Sequence, residues 1–530
     1  MSEKEYVVTL NKGVDYSQFN QEMIASTGAG DIPDRTVDVA DARALSTRNT
    51  HYALTDAEAE SLRNDSRVTD VQLRPQDRDD IEIGYDATQT ANFNKSTSDS
   101  GDYRDWGKIT HSFKENKYGT STSLATNPYG RPYSMDGTGV DVVIQDSGLQ
   151  VDHPEFFDAN GNSRMQLIDW YTASGVTGSQ SANHYRDYDG HGTHCGGTAT
   201  GLNFGWASNS RVYSVKVSGL EGSGDSGGIS ISSCFDVIKG WHQNKPVDPK
   251  TGYKRPTIVN ASWGYSGSIG SSISGIQSYV YRGATYNSST AGWNTTTAYH
   301  RDTYGFYPYY RSFAYRYPVR IASVDADVED CIDAGVHICI AAGNNSFKIA
   351  DSTDPDYDNV IFWTSGNNFY HRGSSPFDTG AIIVGSTDMT PENATTERKT
   401  SFSSTGPGVD IFSAGENIIS ACSTTTRFGN TPYFGNSSFK QTNISGTSMA
   451  SPQVCGVGAI YLQADPSLTP AQLKSKLQND ALAVLKDESN DANYGDTTDI
   501  CGGYNRMLYN RYSREIPFKS NIYGLRKKDR

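Results

Sequence analysis

Apolar residues in this chain come in short, dense runs separated by polar and glycine-rich stretches. Val142-Val143-Ile144, Val212 to Val217, Thr257 to Ala261 and Val336 to Ala342 are such runs. Runs of this length with few polar interruptions predict strands covered on both faces, as in a parallel sheet. Helical stretches lie between and after them. One runs from about Ser230 to Trp241, and another from about Thr469 to Ala483, with Ser467 or Thr469 as its cap and Pro470 in its first turn. The apolar run from Ala450 through Leu462 predicts a buried helix entered from a loop. From Gly139 onward this alternation predicts an α/β domain of three layers, a mainly parallel sheet between two layers of helices.

Residues 1–80 follow a different rhythm. Glu5 to Leu10 predicts a strand, Tyr16 to about Ser26 a helix, and His51 to Leu54 a second strand. Thr55 caps a helix that begins with Asp56 and Glu58 and runs to about Asn64. Val68 to Leu73 is a last strand. This is a separate small α+β domain. Residues 81–105, with TQTANFNKSTSDSGDYRD, form a polar linker. The large domain spans 106–495, and residues 496–530 form an extension rich in Tyr and Arg.

Composition narrows the function. The chain has 530 residues and a formal net charge of −14. That charge gives no electrostatic support for a nucleic-acid partner. No run approaches the roughly 20 apolar residues that span a membrane. The start, MSEKEYVVTLNKG, lacks the apolar core of a secretory signal. The location stays open from sequence: either a signal has been removed, or the protein leaves its cell without one, as after lysis, to lie outside the cell or on a virion. Seven cysteines show no metal-binding spacing and predict mostly free, buried thiols.

Three segments carry chemistry. QDSGLQVDHPEF puts Asp146 at the end of a predicted strand. DGHGTHCGGTATG puts His191 among glycines that let a helix start close beneath its imidazole. SGTSMASPQ puts Ser448 just ahead of the buried helix. A serine hydroxyl is a weak nucleophile until a base takes its proton. His191 is the candidate base, and Asp146 the group that holds the imidazole in the right tautomer. The helix start favours developing negative charge. A further strand ends in Gly343-Asn344. Asp152, His153, Asp189 and His194 lie beside these motifs and read as structural, His194 as a packed helix histidine.

The order Asp, His, Ser is that of subtilisin. From about Trp106 to about Asp465 the chain resembles the subtilisin-like (subtilase) serine peptidases, nearest the proteinase K-like branch. A weaker resemblance covers the N-terminal domain. The resemblance implies a subtilisin-like fold and a peptidase needing no catalytic cofactor, acting on protein or peptide substrates with an apolar P1 residue. It implies Asn344 as an oxyanion donor beside the Ser448 N–H, and Ser262-Trp263-Gly264 as the strand that pairs with substrate. Asp410, with the carbonyls of Thr379 and Ala381, falls where relatives hold a structural calcium. Cys195 would lie under His191. Residues 1–80 resemble an inhibitor-like propeptide, so the implied form is a zymogen cut between about Gln76 and Asp105.

Three stretches depart from the family pattern. Gly28 to Asn49 lengthens the propeptide. Residues 265–319 insert many aromatics, Tyr279, Trp293, Tyr304, Phe306 and Tyr317 among them, either as a site for a protein partner or cleft cover, or as a self-packed elaboration. Phe347 to Asp378 carries Asp351, Asp354, Asp356 and Asp358, a solvated loop or a calcium site. Two functions follow from this reading. The first is a serine endopeptidase restrained by its own propeptide. The alternative is a particle-associated component, such as part of a virion, that carries a latent subtilase domain.

Overall fold

The structure is a computed structural model. It describes residues 3–25, 30–84, 88–89, 106–116, 135–311, 314–364, 366–488 and 497–513. Most of the polar linker and the basic end of the chain, 514–530, lie outside the described residues.

The small domain is built as β1 (Lys4–Leu10), α1 (Tyr16–Ile24), β2 (Val39–Asp41), β3 (Asn49–Leu54), α2 (Asp56–Leu62) and β4 (Val68–Leu73). Its antiparallel sheet has the order β2-β3-β1-β4. Thr55 and Glu58 close the capping box that the sequence predicts. Tyr6, Val8 and Leu10 pack with Phe19 and Met23 of α1 and Leu62 of α2. Val7, Thr9 and His51 are also buried. The sheet is thus covered on both faces, because its second face lies on the large domain. The next segment supplies β5 (Ile81–Gly84) and β6 (Thr88–Gln89), and both pair with strands of the large domain.

The large domain opens with α3 (Trp106–Thr110), then β7 (Asp141–Asp146), α4 (Trp170–Ser174), α5 (His191–Thr200), β8 (Arg211–Lys216), α6 (Asp236–Asn244) and β9 (Thr257–Ala261). The aromatic insertion follows as β10 (Gly264–Ser268), β11 (Ile276–Tyr281), β12 (Ala284–Asn287), α7 (Thr297–Tyr304), β13 (Tyr309–Arg311) and β14 (Ala314–Pro318). The chain continues through α8 (Ala322–Asp333), β15 (His337–Ala341), the hairpin β16 (Val360–Trp363) and β17 (Gly366–Phe369), then β18 (Ile382–Thr387) and β19 (Ile411–Ala414). It ends with β20 (Ile418–Cys422), β21 (Thr431–Tyr433), β22 (Asn436–Ser445), α9 (Thr447–Ala464) and α10 (Pro470–Asp480).

The central sheet has six parallel strands in the order β19-β18-β15-β9-β7-β8. Its dense apolar runs serve two cores at once. Val142 and Ile144 point into one core with Val454 and Val457 of α9. Val143 points into the other with Val237 and Ile238 of α6 and Val328 of α8. This is the three-layer arrangement expected from the sequence. The helix expected from about Ser230 is shorter, with Ile231 to Phe235 forming turns before Asp236.

The aromatic insertion is not a loose loop. β13 and β14 extend a small sheet in the order β13-β14-β10-β5, and β11 and β12 join β16 and β17 in another. Tyr279 and Tyr304 stack with ring centroids 4.5 Å apart, and Phe306 and Tyr370 pack edge-on nearby. Most of these rings face inward, so much of the insertion builds its own core. Tyr310 stays well exposed.

Candidate active site

β7 is the first strand of the central sheet in the chain. Its neighbours are β8 on one side and β9 on the other. The strand order therefore turns at β7, and its carboxyl end is a place where α/β sheets leave a crevice. Asp146 is the last residue of that strand and is fully buried. His191 opens α5, and its Nδ1 lies 2.8 Å from Asp146 Oδ1 and 3.0 Å from Oδ2. Helix and strand approach this closely because position 192 is glycine. A Cβ there would lie 2.1 Å from the carbonyl oxygen of Gly148.

Asp187, which the sequence reading passed over, ties the two motifs together. Its buried carboxylate accepts from Ser147 Oγ, from the amides of Asp189, Gly190 and Thr193, and from Thr193 Oγ1. Burial pushes its pKa up, and these hydrogen bonds oppose the rise. The signal available in sequence was the aspartate spacing in RDYDGHGTH, which also reads as an ordinary turn. Asp189 shapes the same turn, accepting from the His191 amide at 3.2 Å. His194 is a packed histidine, as expected. Its Nε2 lies 2.9 Å from the Ile418 carbonyl, and burial lowers its pKa to about 3.

Ser448 lies in the first turn of α9, an 18-residue helix. Its hydroxyl donates to the Ser262 carbonyl at 3.2 Å, and Ser262 Oγ donates to the Ser448 carbonyl at 3.1 Å. Cys195 lies beneath, its Sγ 3.8 Å from His191 Nδ1 and 3.3 Å from the Ser448 carbonyl. Burial raises that thiol well above its ordinary pKa, as suits a packing role. All seven cysteines are free and buried.

Asn344 is held from the helix side. Its Oδ1 accepts from the Thr447 amide at 2.7 Å and from Thr447 Oγ1 at 2.8 Å. With that oxygen tied down, the amide nitrogen is turned the other way. Asn344 and Ser448 line one cleft with Ser262, Trp263 and Gly264. Trp263 itself points into the core, its indole N–H donating to Gln145 at 3.2 Å, so its backbone rather than its ring faces the cleft.

The cleft already holds a strand of the same chain. β5 pairs antiparallel with β10, setting Gly84 opposite Gly264 and Glu82 opposite Ser266. β6 pairs with the end of β22, setting Thr88 opposite Ser445, three positions ahead of Ser448 in the chain. The insertion contributes here too. Arg316 of β14 reaches Glu82 at 3.0 Å, and Tyr309 lines the cleft.

The calcium expectation needs correction. Lys474 Nζ of α10 lies 2.8 Å from the Thr379 carbonyl, 2.8 Å from the Ala381 carbonyl and 2.7 Å from Asp410 Oδ2. Gln478 completes the set on Asp410 Oδ1 at 3.1 Å. An ammonium sits among the three oxygens assigned to the metal. Calcium needs six to eight oxygens at about 2.3–2.6 Å. These residues fit the ammonium and do not fit the ion. The acidic insertion behaves alike. Lys348, buried, bonds Asp354 and Asp356, Arg282 grips Asp356, Arg372 pairs with Asp358, and Asp351 accepts from Thr353. Neither place is the cation site that oxygen count alone suggests.

A strand order that reverses at β7, with Asp146 on that strand facing His191 at the start of α5, defines a doubly wound α/β protein with its site at the switch point. Known sequences narrow this further. The Peptidase_S8 profile, described as the Subtilase family, matches residues 137–502, and the chain belongs to that family. Among curated proteins, the subtilisin-like serine protease Cur l 4.0101 of Cochliobolus lunatus is 28% identical over 65% of this chain and 50% of its own length. The cuticle-degrading serine protease of Arthrobotrys oligospora is 24% identical over 74% of this chain and 67% of its own. The chain thus spans about half the length of the first of these relatives. Among solved structures, fervidolysin from Fervidobacterium pennivorans, a keratinolytic enzyme related to subtilisin, matches with a TM-score of 0.54 at 14% identity. That match covers 97% of this chain and 61% of fervidolysin, and it supports the subtilisin-like fold. Among the described residues no helix is long and apolar enough to cross a membrane.

Proposed function

We propose that this protein is a serine endopeptidase made as a zymogen and restrained by its own N-terminal domain. Ser448 Oγ attacks the scissile carbonyl while His191 takes its proton. Asp146 orients the imidazole and stabilises the charged form. The tetrahedral oxyanion is met by the Ser448 N–H at the start of α9 and by the Asn344 amide, whose oxygen is tied to Thr447. His191 then returns the proton to the leaving amine, and water hydrolyses the acyl-enzyme by the same route in reverse. No cofactor enters these steps.

One observation carries the reading: β5 lies antiparallel on β10 beside Ser448, as an extended peptide substrate would. Backbone pairing along Ser262, Trp263 and Gly264 suits a peptidase that reads main chain more than side chains. Ala341 and Gly343 line the cleft and suit an apolar P1 group. Gly84 pairs beside the cleft residue Gly264 and Thr88 pairs with Ser445 just ahead of Ser448, and on that support our reading puts self-cleavage between Gly84 and Thr88. That position lies within the range from Gln76 to Asp105 expected from sequence. One relative is named an extracellular serine proteinase, and we place the action of this protein outside the cell by analogy.

Intact mass of the purified wild type beside Ser448→Ala tests the proposal. The expected result is a wild type cut between Gly84 and Thr88 and a variant that stays full length. Two full-length chains would overturn self-processing, and absence of casein hydrolysis by the separated large domain would overturn the peptidase reading.

A further inference from the structure

The stretch from Gly28 to Asn49, which the family pattern leaves unexplained, carries a side chain that enters the large domain. Arg43 has φ of 41°, in the left-handed region that a branched-out, non-glycine residue seldom adopts. Its amide is held there by Asp41 Oδ1 at 2.9 Å. Such an outlier persists only where its surroundings fix it, and it commonly marks a binding function. From this turn the guanidinium passes between α6 and α8. It donates to Asp236 Oδ2 at 2.9 Å and to Asp327 Oδ1 at 2.8 Å. All three side chains are at most 5% exposed.

The neighbouring residues complete the fit. Asn49 Nδ2 donates to Asp327 at 2.9 Å, and Thr47 Oγ1 donates to Asp330 at 3.1 Å. From the other side, Lys239 of α6 donates to the Leu45 carbonyl at 2.7 Å and to Asp330 at 3.0 Å. Leu45 rests on α6 where residue 240 is glycine, and a Cβ there would lie 2.6 Å from its methyl carbon. Both partners are therefore shaped for the contact, and both carboxylates of the Arg43 pair are shielded from solvent while the domains are joined.

We infer that Asp236, Asp327 and Asp330 form a receptor socket for an arginine-bearing loop, and that Arg43 is the residue by which the N-terminal domain is recognised and retained independently of the cleft. The socket takes a guanidinium, which forms directional bonds to two carboxylates at once, where an ammonium makes a point contact. This inference rests on the reading of residues 1–80 as an inhibitory domain and adds what holds it after the connecting chain is cut. Cleavage frees the linker, and activity then waits for the socket to let go.

The test separates retention from proteolysis. A Ser448→Ala chain is given the recognition sequence of an unrelated site-specific protease within residues 90–105, is nicked there, and the rate of separation of the two pieces is followed by sizing chromatography after dilution. Arg43→Gln is expected to separate on the order of 10² times faster, the usual scale for truncating one member of a buried interfacial charge pair. Arg43→Lys, which keeps the charge and is the milder change should Arg43→Gln fold poorly, is expected to fall between. Asp327→Asn should also hasten release, and combining it with Arg43→Gln should add far less than the product of the two effects. Equal rates for wild type and Arg43→Gln, or fully multiplicative effects, would overturn the inference. Failure of the wild type to cut itself would count against the proposed zymogen and leave the rates of the nicked chains readable.

Discussion

The N-terminal domain meets the rest of the protein in two places that work by opposite rules. At the cleft, β5 adds to β10 through main-chain hydrogen bonds, and almost any extended sequence would satisfy them. At the α6 and α8 face, Arg43 enters a pocket of aspartates that accepts one side chain in one orientation. On the proposed zymogen reading the first contact is general because the same groove would bind substrates, and the second is specific because it lies on the α6 and α8 face instead. The second contact would then hold the N-terminal domain after the connecting chain is cut.

The chemistry at the cleft gives the largest expected effect. Ser448→Ala should lower kcat on a peptide substrate by on the order of 10⁶-fold, with the fold intact by circular dichroism. Substantial residual activity would mean that the groove works by other groups. Asn344→Ala should cost about 10²–10³ in kcat with little change in KM, since its donor acts on the transition state. A change confined to KM would instead make it a substrate-binding residue and weaken the division between general binding and chemistry.

A smaller effect comes from a position that joins α10 to the edge of the central sheet. Lys474→Met removes the ammonium from three oxygens just ahead of β18 and β19, and should destabilise the large domain by roughly 3 kcal/mol in denaturant melts. Millimolar calcium should raise the melting temperature of the variant more than that of the wild type. Equal responses would show that the lysine does not stand in for a metal.

The smallest effect belongs to the N-terminal domain by itself. The Arg35 guanidinium and Thr55 hold the Glu58 carboxyl down to about 2 from its ordinary 4.5. A depressed carboxyl stabilises the fold above its unfolded pKa, and that contribution fades as pH falls from about 4.5 towards 2. Amide exchange in α2 should therefore quicken over that window, and Thr55→Ala, costing about 1 kcal/mol, should quicken it at neutral pH as well. If α2 opens with the whole protein in every case, the small domain has no separate stability, and the comparison between its two contacts loses its basis.

Much of this was legible in the sequence where the physics is local. The dense apolar runs are strands because a sheet covered on both faces can tolerate few polar side chains, and Val142, Val143 and Ile144 indeed serve two cores. Thr55 and Glu58 spell a capping box because the two groups lie one helical turn apart. Asp146, His191 and Ser448 stood out because small residues surround each of them, which close packing requires. The packing of the aromatic insertion stayed open between self-packing and a partner site, since its rings meet across separate elements, Tyr279 of β11 on Tyr304 of α7, and follow no single period.

The same boundary separates the charged residues. The sequence by itself determined the strands, the caps and the placement of the candidate catalytic residues at element ends, all set by neighbours a few positions apart. Only the tertiary structure decided which cation each carboxylate meets: Lys474 for Asp410 across 64 positions, Lys348 for Asp356, Arg43 for Asp236 across 193 and for Asp327 across 284. A carboxylate advertises that it needs a positive charge, and it does so equally for a metal, a lysine or an arginine. Which of them arrives depends on how distant helices pack, and that is settled by the cores and not by the charge.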